Sequence, residues 1–107
     1  MLENTDPDPT FEAIRHHRVA HATHQAFLSI AEEDPADPER RAALDRMRAD
    51  AEAAAWTLVE VTPTTIFGVR ALASYAIEFV EGGFTWPEGW GKQLRSVVLR
   101  AYGSESS

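Results

Sequence analysis

The chain has 107 residues, a formal net charge of -7 at neutral pH and no cysteine. That length is one domain's worth of chain with a core of modest size. The missing cysteines exclude disulfide frameworks, thiolate metal sites and cysteine nucleophiles. The acidic balance argues against a nucleic-acid partner, which is normally met by a basic patch.

The opening MLENTDPDPT is polar and acidic, without the basic and apolar regions of a secretory signal. No apolar run reaches the ~20 residues that span a bilayer. No membrane partner is expected, and the default compartment is the cytoplasm. Apolar residues make up 44% of the chain, many of them alanine. Few large side chains are left to build the core, and dimerisation is one way to bury more surface.

Four helices are expected. Residues 1–8 read as an N-terminal tail. Asp8 or Thr10 caps a first helix from about Pro9 to Glu33, with proline suited to its first turn. Phe11, Ile14, Val19, Ala22, Ala26 and Ile30 gather on one broad face. EEDPADPE holds five carboxylates and two prolines, and residues 34–38 read as a solvated interhelical loop.

Asp37-Pro38 opens a second helix that runs to about Val61. Leu44, Met47, Ala51, Ala55 and Leu58 form its apolar stripe. Trp56 projects to the other side, together with Ala42, Ala49 and Ala53. That second surface meets either another helix of the same chain or a second subunit.

The stretch TPTTIFGVRALASYAIEF, residues 62–79, comes next. Pro63 disfavours helical geometry at Thr62 and ends the second helix. Thr64 or Thr65 caps a third helix that closes at Glu81-Gly82-Gly83. A helix N-terminus with free hydroxyls and N–H groups is also able to hold an anion. Arg70, Ser74, Glu78 and Glu81 form one narrow polar strip, and nearly all other positions are apolar. Such a helix is expected to be central and buried on most sides. Gly68, in its first turn, implies close approach by another helix. FTWPEGWG is a connection rich in turn residues. A last helix from about Glu88 to Tyr102 follows, and residues 103–107 read as a tail. Lys92, Arg95 and Arg100 make that helix locally basic, as a solvated face would.

The fold class is therefore all-α: a long antiparallel hairpin of helices one and two, plus two shorter helices, arranged like a four-helix bundle in one domain.

Candidate chemistry is sparse. His17, His21 and His24 share a helix face at i, i+4 and i+7, a spacing able to chelate a metal such as zinc. That face points away from Phe11, Ala22 and Ala26, so a solvent-facing polar row is the expectation, with metal binding or pH sensing as the alternatives. Glu60, Glu78 and Glu81 are the carboxylates nearest apolar surroundings. No nucleophile elbow, phosphate loop or dinucleotide fingerprint is present. No catalytic residue and no cofactor is assigned. Trp86 and Trp90 in FTWPEGW either plug the open end of the bundle or form a partner-binding tip.

The block from Pro63 through Leu72, with Tyr75 and Glu78, resembles a group of short uncharacterised helical proteins common in alphaproteobacteria. Phe11-Glu12-Ala13-Ile14 with His17-Arg18, and the closing Trp-Pro with its short helix, are similar too. The resemblance implies no activity and supplies no site residues.

Three functions stay in view. The first is a non-enzymatic interaction module, a homodimer or the binder of an unknown protein partner, using Trp56, Trp86 or Trp90. The second is a metal- or ligand-binding protein using the His17/His21/His24 face. The third is a helix-turn-helix regulator, which the charge balance disfavours.

Overall fold

The computed structural model describes residues 8–33 and 36–106. These form four helices: α1 (Pro9–Ala31), α2 (Pro38–Leu58), α3 (Ile66–Glu81) and α4 (Trp90–Ser106). The described residues contain no strand. Residues 1–7 of the expected tail, Asp34 and Pro35 of the expected loop, and Ser107 lie outside them.

The helix starts follow their capping chemistry. Asp8 and Asp37 sit in extended geometry and accept the N–H two residues on, from Thr10 and Glu39, each at 3.0 Å. Proline follows each cap at the first helical position. Asp8 is therefore part of the fold rather than of a tail. At the other end of the chain α4 runs on to Ser106, past the expected stop at Tyr102. GSES carries no proline, and its one glycine costs a helix only about 1 kcal/mol.

α1 and α2 lie antiparallel. Arg40, early in α2, donates from Nη1 to the Ile30 carbonyl near the end of α1 at 3.3 Å. At the opposite end Ala13 and Ile14 of α1 share one core with Ala55 and Leu58 of α2. α3 adds Leu72, Tyr75 and Ala76 to that core, and α4 adds Trp90 and Val97. The stripe expected on α2 faces inward, with Ala51, Ala55 and Leu58 buried and Leu44 and Met47 half-buried. Trp56 is half-buried at the edge of the core, while Ala42, Ala49 and Ala53 are exposed.

Two expectations are corrected. On α1 the inward face is Thr10, Ala13, Ile14 and His17, whereas Phe11, Val19, Ala22, Ala26 and Ile30 are exposed. The expected apolar face lost to one that matches the aromatic residues around the α3–α4 connection. The second concerns α3, which is not central. It buries Gly68, Val69, Leu72, Tyr75 and Ala76 and leaves Ile66, Phe67, Ile77 and Val80 exposed. Among the described residues, no element covers that second side.

Gly68 has a specific cause. Asp8 Oδ2 accepts the N–H groups of Thr64 and Thr65 and the Thr65 hydroxyl, at 3.1, 3.0 and 2.7 Å. The Thr65 oxygen in turn accepts the Gly68 N–H at 3.0 Å, capping α3. A Cβ at position 68 would stand 2.7 Å from Asp8 Cγ, inside van der Waals contact. The close neighbour at Gly68 is thus a carboxylate rather than a helix. It occupies the anion-holding end of α3 from within the chain, and one side chain ties the starts of α1 and α3 together.

Candidate functional site

The three histidines are not a solvent-facing row. Thr10, Ile14, His17, His21, His24 and Leu28 recur with alternating spacings of four and three along α1, the spacing of a helix-packing seam. His17 is 2% exposed, and His21 and His24 are half-buried. His17 Nδ1 lies 2.6 Å from the Tyr75 hydroxyl. Burial, reinforced by the nearby His21 and His16, lowers the His17 pKa to about 4, so its ring is neutral at ordinary pH. Burial, with His24, also lowers His21, and burial raises Tyr75.

A neutral imidazole packs as an aromatic ring, and here it joins a continuous set of them. His17 stands 5.0 Å from Trp86 and 5.2 Å from Phe79, centroid to centroid, and His21 stands 4.3 Å from Phe84. Trp86 stacks on Trp90 at 3.8 Å with the planes 8° apart.

The α3–α4 connection places these rings. Gly83 takes the left-handed conformation at φ 94°. The Phe84 N–H then returns to the Phe79 carbonyl and the Gly83 N–H to the Val80 carbonyl. This is a Schellman ending, in which the residues either side of the turn make an apolar contact. Phe79 and Phe84 make it, 5.2 Å apart.

Trp86 donates from its indole nitrogen to the Ala76 carbonyl at 3.1 Å. Trp90, 1% exposed, donates to the Ala55 carbonyl at 2.6 Å, within the last turn of α2, where helix carbonyls lack intrahelical partners. Both tryptophans thus bind parts of the chain to one another. Trp90 is buried and Trp86 half-buried.

Between α1, α2 and the connection lies an open cleft of about 480 Å³. His17, His21 and His24 line one side, Phe79, Phe84 and Trp86 another, and Gln25, Arg48 and Glu52 supply further polar atoms. The three histidines do share one cleft, but among the described residues no group of three or more His, Asp or Glu is placed to hold a metal ion. Glu60, Glu78 and Glu81 are all exposed.

A second feature lies on the other side of α3. A groove of about 530 Å³ runs beside α4, with walls that include Ala76, Ile77, Val80, Trp86, Trp90 and Leu94. Among the described residues, Glu81 and Thr85 are its only polar lining residues. It continues the uncovered strip of α3, where Ile66, Ile77 and Val80 are 40%, 59% and 55% exposed.

Sequence reasoning missed that strip because α3 reads as apolar nearly all round. The signal was available in composition: a core this rich in alanine has too little surface to enclose such a helix.

The fold and these two features define an all-α protein with an aromatic-walled cleft on one side and an uncovered apolar helix face on the other. Among the described residues no helix is long and apolar enough to cross a membrane. The chain matches no family model, no curated protein and no solved structure.

Proposed function

We propose that this protein is a non-enzymatic interaction module that assembles as a homodimer. The observation that carries the reading is the strip Ile66, Ile77 and Val80, large aliphatic side chains left open beside an apolar groove. Contiguous apolar surface of this kind marks an interaction site. Burying it would complete a core that the chain by itself leaves thin. Light scattering at low and high micromolar concentration tests this. A mass of two chains is expected, and a strict monomer across that range overturns the homodimer.

A second reading is favoured by the gathering of His17, His21 and His24 on one cleft. A small planar ligand would find aromatic walls there, with Gln25, Arg48 and Glu52 for hydrogen bonds. Because Trp86 lines the cleft, entry of such a ligand should change tryptophan fluorescence. An aromatic-compound screen that leaves the emission of the protein unchanged removes this reading.

A further inference from the structure

We infer that the second copy docks antiparallel along α3, α3 against α3, about a twofold axis level with Tyr75, with Arg70 of each copy beside Glu81 of the other. This rests on the homodimer reading and adds its face, direction and register.

Spacing comes first. Ile66, Arg70, Ala73, Ile77 and Val80 are separated by four, three, four and three residues. That is the alternation with which two helices pack along a seam. At 1.5 Å per residue the seam is about 21 Å long. It is distinct from the face already used, since Val69, Leu72 and Ala76 point into the chain's own core.

Size gives the register. Ala73, near the middle of the seam, is small enough to let two helices approach closely. With the axis level with residue 75, Ala73 of one copy faces Ile77 of the other, and Arg70 faces Val80. Small then meets large in the two central Ala73–Ile77 layers, as close packing requires.

Charge gives the direction. Arg70 stands near one end of the strip and Glu81 at the other. Both are exposed, and neither has a hydrogen-bond or ion-pair partner among the described residues. A parallel pairing would set Arg70 against Arg70 and Glu81 against Glu81. An antiparallel pairing sets each Arg70 within reach of the opposite Glu81, twice over. The two helix dipoles then also oppose one another. The groove beside α4 lies along the same side, where Leu94 adds apolar wall for the incoming helix.

The experiment is a dimerisation constant for the full chain by analytical ultracentrifugation. Arg70→Glu and Glu81→Arg should each weaken the dimer by about tenfold, since each disrupts two symmetry-related ion pairs. The double variant, with the charges exchanged, should return to within a few-fold of wild type. Ile77→Glu should be monomeric with an unchanged far-UV circular dichroism spectrum. If the wild type dimerises but neither single charge reversal matters, or the exchange does not restore affinity, the α3 register is wrong while the homodimer stands. If Ile77→Glu dimerises as tightly as wild type, α3 is not the interface. A wild type that stays monomeric overturns both.

Discussion

Asp8 joins the start of α1 to the start of α3. It is buried, yet its carboxylate meets the N–H groups of Thr10, Thr64 and Thr65 and one hydroxyl. Burial acts to raise its pKa, but the hydrogen bonds from Thr10 and Thr65 outweigh this and lower it. Asp8→Ala should cost about 2–4 kcal/mol, as it removes one cap and strands donors at another helix start. Gly68→Ala should also destabilise, because the new methyl meets the carboxylate. In the Asp8→Ala background the same change should become neutral or stabilising by up to about 1 kcal/mol, the helix preference of alanine over glycine. Urea melts of the four proteins measure this coupling. Additive losses would mean that Asp8 and Gly68 are independent.

His17 sets a pH dependence at the same scale. Its folded pKa of about 4 lies below the ordinary imidazole value of about 6.5. Between these values the unfolded chain binds the proton and the folded one does not, so stability must rise with pH across that window. The contribution is complete above about pH 6.5, falls as pH drops toward 4, and amounts to about 3 kcal/mol. Asp8 adds a further loss at lower pH, because its folded pKa is depressed below 3.8. His17→Phe should flatten the pH 6.5 to 4 slope of unfolding free energy, leaving the smaller part due to His21. An unchanged slope would show that His17 is not the group responsible.

Among the elements, α4 is held most narrowly. Among its described side chains, Trp90, Val97 and Ala101 are the buried ones, and the Trp90 indole donates a hydrogen bond to α2. Trp90→Ala should cost about 3–5 kcal/mol. It should release α4 first, with backbone amides of 91–102 exchanging faster than those of the α1–α2 pair. Uniform acceleration over all four helices would instead mean that the chain unfolds as one unit. α3 is held better, by the cap at Thr65, the Asp8 tie and its buried face. That makes it the sounder platform for a second chain. The helix starts were legible beforehand, because Asp-Pro and Pro-Thr-Thr act through local geometry. The face each helix turns inward was not. On α1 the apolar count favoured Phe11, Val19 and Ile30, and the histidine seam won because Tyr75, Phe79 and Trp86 come to meet it.

At the scale of the molecule, the radius of gyration is 16.4 Å, against about 13 Å for a compact domain of this length. The smallest dimension is 19 Å, two helices thick. A body this thin has much surface for its volume, and a second copy on α3 would thicken it where it is most apolar. The net charge of -7 works against that association. The predicted Arg70–Glu81 pairs therefore matter more here than in a neutral chain.

The sequence by itself determined the helices. It also determined their order and starts, the antiparallel course of the first two, and the absence of thiol chemistry, because capping, proline geometry and short connections act within a few residues. Only the tertiary structure decided that His17 is a buried neutral ring, that Gly68 makes room for Asp8 and that one side of α3 stays uncovered. Each of those depends on contact between residues some 55 to 70 positions apart, or on its absence, and no local pattern encodes which surfaces meet.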